Sequence, residues 1–168
     1  DESESVSKSL EYAYDNWCIA QMASMLGKKE DEAIYLRRSQ AYRNLFDARS
    51  GHMRPRKNGG WLTPFYASEI NNHFTEGNSW QYSFYVPHDL KGLINLYGND
   101  ARFEKKLDEL FETTEKTRGR EQADVTGLIG QYAHGNEPSH HIIHFYNYVG
   151  QPYKTQELID SVLHSQYS

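Results

Sequence analysis

Three imidazoles, a carboxylate, a carboxamide and a hydroxyl fall within eight residues: His134-Gly135-Asn136-Glu137-Pro138-Ser139-His140-His141. Together they can hold a polar ligand. The order is also that of a helix start. Asn136 can act as N-cap, accepting from free backbone N–H groups. Pro138 suits the first turn, where a missing N–H costs nothing. Glu137 then lies near the positive end of the helix dipole. His140 and His144 are four apart and share a helical face, while His141 points elsewhere. A plainer reading stands beside this one: histidines on helices are often only hydrogen-bonded packing residues. The cluster is not a zinc signature, because His-Glu-x-x-His is missing and the single cysteine, Cys18, is remote.

The elements that must position these groups are helical. Residues from about Ser5 to Leu26 repeat apolar side chains at helical spacing, and Gly27 stands where a C-terminal cap is expected. A second helix is predicted from about Glu30 to Phe46, giving an antiparallel pair. From Asp47 to Asn78 the pattern breaks at Ser50-Gly51, Pro55, Asn58-Gly59-Gly60 and Pro64. Trp61, Phe65, Tyr66 and Phe74 make this stretch too aromatic for disorder, so it is expected to be an ordered loop that serves a site. Further helices are predicted from His88 or Asp89 to Gly98, from Asp100 to about Thr117, from Pro138 to Val149 and from Pro152 to about Tyr167. Asp89 reads as a cap, and a second loop runs from Thr117 to Gly135. No strand-rich segment or repeat is visible.

Size and composition set bounds. The 168 residues suffice for one domain with a core. Thirteen Tyr, 7 Phe and 3 Trp provide rings with and without polar handles, suited to sugar pockets and ordinary cores alike. The net charge of −5 is dispersed, which argues against a nucleic-acid footprint. No apolar run nears the ~20 residues of a membrane span, and the acidic start is not a signal peptide. Asp1 is not a Met start and Ser168 closes a helical pattern, so a piece of a larger protein is expected.

Five blocks in order carry a family likeness. They are Glu4-Ser5-Val6-Ser7-Lys8 with Leu10-Glu11-Tyr12-Ala13-Tyr14-Asp15; Thr75-Glu76-Gly77-Asn78-Ser79-Trp80-Gln81-Tyr82; Val86-Pro87-His88-Asp89; residues 134–141; and Tyr146-Asn147-Tyr148 through Gly150-Gln151-Pro152 to Lys154-Thr155-Gln156. The chain resembles glycoside hydrolase family 92, calcium-dependent exo-α-mannosidases that invert the anomeric centre. The resemblance implies an all-α fold, helical hairpins forming part of an (α/α)6 toroid. Residues 1–168 would be a partial catalytic domain. An N-terminal β-sandwich domain, the C-terminal part of the toroid and the general base would lie outside it.

The same resemblance implies site roles. Inversion needs two carboxyl groups roughly 6.5–9.5 Å apart with water between them. Glu76 would be the general acid, with Trp80, Phe74 and Tyr82 expected to exclude water and raise its pKa. Without the family likeness, Glu76 reads as a loop carboxylate bonded to nearby amides. Ca2+ would assist sugar distortion, held by hard oxygens of Glu137, Asn136, loop carbonyls or Gln131. His134, His140 and His141 would contact sugar hydroxyls, as would Trp80, Gln81 and His88. Trp61 and Trp80 could stack on a sugar or sit in a core. The implied partners are mannose-containing glycans, most often α-1,2-linked, met in the periplasm or outside the cell. Exposed toroid faces would allow self-association. Two other readings are open: a non-catalytic glycan-binding or structural helical module, and a transition-metal hydrolase built on His134, His140, His144 and Glu137.

Overall fold

A computed structural model describes residues 2–167. Asp1 and Ser168, the two ends noted above, lie outside the described residues. The chain is built of helical hairpins, the all-α class the sequence predicts, with two-residue strands pairing inside its long loops. Helix α1 (Ser5–Met25) buries Val6, Leu10, Ala13 and Ala20 along one stripe. It ends in a glycine cap: Gly27 takes φ 70°, the Lys28 N–H donates to Ala23 O at 2.9 Å, and the Gly27 N–H to Ser24 O at 3.1 Å. That turn lets α2 (Lys29–Ser39) fold back along α1. The predicted second helix does not run unbroken to Phe46. It tightens at Gln40 into a 3₁₀ helix, Gln40–Leu45, which buries Tyr42.

The loop that follows is ordered, as expected, but it carries strands that the sequence does not reveal. Strand β1 (Phe46–Asp47) pairs antiparallel with β2 (His52–Met53), and β3 (Arg56–Lys57) with β4 (Gly60–Trp61). Strand β5 (Glu69–Ile70) runs parallel to β6 (Arg118–Gly119), tying the two long loops together. Strand β7 (Leu128–Ile129) turns back on β8 (Tyr132–Ala133). Two residues are too few to display a period of two, so no pattern announces them.

Helix α3 (Ser79–Tyr82) is a single turn. Helix α4 (Leu90–Tyr97) starts under the predicted cap, where the Gly92 N–H donates to Asp89 Oδ1 at 2.9 Å. Helix α5 (Asp100–Glu112) buries Phe103, Leu107, Leu110 and Phe111. It stops five residues before the predicted Thr117, as the β-branched Thr113 turns extended with ψ 137°. The helix expected over 138–149 is two 3₁₀ pieces instead, Glu137–Ser139 and Ile142–Val149. Between them, imidazole nitrogens of His140 and His141 contact backbone carbonyls of His134 and Phe84. Gly150, at φ 75°, then turns the chain into α6 (Pro152–Gln166). No described helix is long and apolar enough to cross a membrane.

Candidate active site

Glu76 is presented by a loop pinned at both ends. On its N-terminal side the first turn of α1 acts as a shelf. The Val6 N–H donates to His73 O at 3.0 Å, the Glu4 N–H to Asn72 O at 2.6 Å, and the Thr75 N–H to the Ser7 hydroxyl at 2.8 Å. On its C-terminal side Asn78 caps α3. Asn78 Oδ1 accepts from the Trp80 N–H at 2.9 Å, and Gln81 Oε1 accepts from the Asn78 N–H at 2.7 Å. Between these anchors Glu76 is exposed and takes φ 48°, left-handed backbone that a side chain rarely adopts. Its carboxylate forms no hydrogen bond among the described residues. A carboxylate bonded to its own loop, the plainer expectation, is therefore not what this turn holds.

A buried amide network joins this loop to the segment 128–136. Asn78 Nδ2 donates to Gln131 Oε1 at 2.9 Å, Gln81 Nε2 to Gln131 O at 2.6 Å, and Gln131 Nε2 to Glu115 O at 2.7 Å. Asn136 closes the circuit, donating from Nδ2 to the backbone oxygen of Glu76 at 2.8 Å. All four amides are at most 5 % exposed. Buried and satisfied, such a network fixes one arrangement, because breaking any link strands a partner. Asn136 thus stands at the start of a 3₁₀ turn, but its side chain reaches across the site rather than capping that turn.

The result is a narrow recess of about 10 Å3, room for about one water, bordered by Glu76, Gln81, Tyr82, Tyr85, Ala133, Asn136, Pro138 and Ser139. Tyr82 and Tyr85 form its aromatic wall. Tyr85 also meets His141 edge-on, with centroids 5.6 Å apart. Burial raises the pKa of the Tyr85 hydroxyl, as do nearby acids led by Glu11. The Tyr82 hydroxyl donates to Glu11 Oε1 at 3.4 Å. Burial raises the Glu11 pKa, opposed by that Tyr82 bond and reinforced by the charges of Asp15, Glu4 and Glu76. Tyr85 and Glu11 were not picked out as site residues from the sequence, although Glu11 sits inside a motif block and Tyr85 directly precedes one.

Glu137 borders a neighbouring open recess of about 310 Å3, with Thr126, His134, His140 and Tyr167. There the His134 and His140 rings stack at 4.7 Å. His134 is held between the Tyr132 and Tyr167 hydroxyls, each 2.9 Å from a ring nitrogen. Burial lowers the His134 pKa, and His140 lowers it further. Asn136 and Pro138 border the first recess and Glu137, between them in sequence, borders the second.

The other predicted contacts are placed differently. Trp80 lies in the core, not on a sugar-facing surface. Its indole N–H donates to Glu115 Oε2 at 3.1 Å, and Lys106 Nζ sits 4.3 Å from the ring centroid. Gln81 borders the recess, but its oxygen and one N–H are already engaged in the network. His88 faces away, with Nε2 2.9 Å from Ser39 O and its ring against Tyr14 and Tyr42. His141 is turned inward, Nε2 to Phe84 O at 3.0 Å, and burial lowers its pKa. Trp61 packs under Arg56 on the β3–β4 hairpin.

For a metal, the donors decide. Among the described residues no three His, Cys, Asp or Glu side chains converge as a cage, which removes the ligand set the transition-metal reading needs. For calcium, among the described residues the Glu137 carboxylate and Asn136 Oδ1, both named from the sequence, form no hydrogen bond. Asn136 borders the Glu76 recess and Glu137 the neighbouring one, and a shell of six to eight oxygens is a number these two cannot supply alone. Gln131 Oε1, the other candidate, is spent on Asn78.

Several known proteins are similar to this chain. An "Uncharacterized secreted glycosidase" of Arthroderma benhamiae is 29 % identical over 172 residues, covering 88 % of this chain and 20 % of that protein. A family GH92 alpha-mannosidase from Bacteroides thetaiotaomicron, solved with mannoimidazole, is 42 % identical at a TM-score of 0.89, covering 99 % of this chain and 23 % of its own. A family GH92 inverting mannosidase from the same organism is 36 % identical at a TM-score of 0.84, with 99 % and 24 % covered. The chain thus spans about a fifth to a quarter of the length of these relatives. The model of the glycosyl hydrolase family 92 catalytic domain matches residues 1–168 throughout, and the chain belongs to that family.

Proposed function

We propose that this chain is part of an inverting α-mannosidase that removes terminal, chiefly α-1,2-linked, mannose from glycans, with Glu76 as general acid. The observation that carries the reading is Glu76 itself: an unbonded carboxylate in left-handed backbone, locked over an aromatic recess. A proton donor to a glycosidic oxygen must be free of competing partners and fixed in direction. The likeness to mannosidases, one of them inverting, supports the substrate class.

In this reading Tyr82 and Tyr85 shield the acid from water on one side. Asn136 holds the Glu76 backbone so that its proton meets the leaving oxygen. His134 and His140 face the sugar hydroxyls from the neighbouring recess. Glu137 and Asn136 would hold part of the shell of a calcium ion, which when bound draws on sugar hydroxyls and favours a distorted ring. The base that activates water comes from elsewhere in the domain, and the protein acts in the periplasm or outside the cell.

The test is Glu76→Gln in a protein carrying the whole catalytic domain. Turnover of a mannoside with a poor leaving group should fall by about 100-fold or more, with mannose binding retained. Wild-type turnover would remove Glu76 from the acid role. One observation favours a non-catalytic glycan-binding or structural module: among the described residues no second carboxylate borders the Glu76 recess. Hydrolysis of an aryl α-mannoside by the protein with the complete domain would exclude that reading.

A further inference from the structure

Between α5 and β6 runs Thr113-Thr114-Glu115-Lys116-Thr117, outside every motif block. Thr113 turns extended where α5 stops, and an extended chain sends alternate side chains to opposite sides. Thr113, Glu115 and Thr117 are accordingly half-buried, while Thr114 and Lys116 are exposed. The inward set carries one carboxylate, and it meets parts of the chain that are far apart in sequence. Glu115 Oε1 accepts from the Ser68 hydroxyl at 2.7 Å, and Oε2 from the Trp80 indole N–H at 3.1 Å. Its backbone N–H donates to Thr113 Oγ1 at 3.1 Å, and its backbone oxygen accepts from Gln131 Nε2 at 2.7 Å. Ser68, Trp80 and Gln131 are all buried. One residue thus ties together the loop before the Glu76 turn, α3 after it and the β7–β8 hairpin.

Two hydrogen-bonded routes lead from Glu115 to that turn. Trp80 stands four residues after Glu76, and its backbone N–H is the one that Asn78 Oδ1 accepts. Gln131 reaches Asn78 Nδ2 through its side-chain oxygen and Gln81 Nε2 through its backbone oxygen. Asn78 is only two residues from Glu76. Helix α3 is a single turn, too short to hold its own direction, so what fixes it must come from its contacts. The indole nitrogen of Trp80 can only donate, so it needs an acceptor where it is buried. Removing the carboxylate would leave that N–H and the Ser68 hydroxyl without their partner, and α3 would be free to shift.

We propose that Glu115 is a positioning residue for the reaction: through Trp80 and Gln131 it fixes α3, and with α3 the direction in which Glu76 presents its carboxyl to the leaving oxygen. The inference rests on the reading of Glu76 as general acid. Glu115 does not border the Glu76 recess and acts through the residues it holds. Proton donation depends steeply on placement, and a misplacement of about 1 Å can cost about 100-fold in rate.

The experiment compares two substrates in a protein carrying the whole catalytic domain. A methyl α-mannoside needs a proton on its leaving oxygen, whereas a 2,4-dinitrophenyl α-mannoside leaves without one. In Glu115→Ala, kcat on the methyl substrate should fall by about 10-fold or more, and on the dinitrophenyl substrate by less than about threefold, with KM for both nearly unchanged. Glu115→Gln can turn its oxygen to the indole and its NH2 to the Ser68 oxygen, so it should restore most of the loss. Trp80→Phe, which keeps a ring and removes the donor, should show the same selective loss to a smaller degree. A merely structural role would lower both substrates by one factor, because it changes only how much protein is folded. Equal losses, no loss, or a Glu115→Gln as impaired as Glu115→Ala would overturn the inference. Should Glu115→Ala not fold, Trp80→Phe decides it by the same comparison of substrates. Glu76→Gln run alongside separates the two claims. Wild-type turnover of the methyl substrate there overturns the acid assignment and this inference with it. A selective loss in Glu76→Gln without one in the Glu115 and Trp80 variants overturns this inference alone.

Discussion

Glu76 holds a backbone conformation that costs a side-chain-bearing residue about 1 kcal/mol and that glycine adopts freely. Strain of this kind is kept only where the surroundings enforce it, here the Ser7 and Asn78 anchors and the Asn136 amide. Replacing Glu76 by Gly should therefore raise the melting temperature relative to Glu76→Ala while leaving the enzyme as inactive as that variant. Thermal melts and mannoside turnover of the two variants check it. A second residue-scale expectation concerns His52. Burial, reinforced by the Lys106 ammonium 3.1 Å away, lowers its pKa to about 3. The unfolded chain takes up a proton near pH 6.5, so this group's contribution is present above that pH. It is lost as pH falls from about 6.5 toward 3, up to about tenfold in the folding equilibrium per unit. Urea unfolding at pH 7 and pH 5 should show that loss, and His52→Gln should flatten its slope.

At the scale of elements, two glycines make a contrast. Gly27 caps α1 at φ 70° with nothing within 4 Å of an added Cβ, so Gly27→Ala should cost only about 1 kcal/mol of backbone strain. Gly130, at φ 60°, turns the β7–β8 hairpin so closely on α5 that an added Cβ would enter the carbonyls of Leu110 and Phe111. Gly130→Ala should push that hairpin away, carrying Gln131 out of the amide network and lowering stability and turnover together. Denaturant midpoints beside kinetics would separate the two cases. The same contrast explains what the sequence disclosed. Helices α1, α4, α5 and α6 were legible because apolar residues recur at their period over two turns or more, with Gly27 and Asp89 as punctuation. The 3₁₀ break at His140–His141 was not, because a long-range contact to Phe84 O, with a nearer one to His134 O, accompanies it. Trp80 could be named from its motif, but α3 is one turn long, and nothing local states that its indole faces Glu115 rather than a sugar.

Across the whole molecule, apolar side chains collect at the two outer flanks. Ile19, Met22, Met25 and Leu26 line the far end of α1, with Ile34 and Leu36 on α2; Tyr148, Tyr153, Leu163 and Tyr167 lie on and around α6. A partial toroid would cover such flanks with its missing neighbours, so we expect the chain produced alone to self-associate. Sedimentation should show species above the monomer mass, shifting toward monomer when Met25 and Leu26 are both changed to Lys. The Asn136 side chain has a consequence at this scale too. Among the described residues it is the strut from the histidine-bearing segment to the Glu76 backbone, and the strut depends on a nitrogen that donates. Exchanging that nitrogen for oxygen, as in Asn136→Asp, alters neither length nor shape, yet it sets two lone-pair-bearing atoms face to face. A single misplaced atom would thus turn an attachment into a repulsion, and functional sequences with this loop are expected to avoid aspartate there.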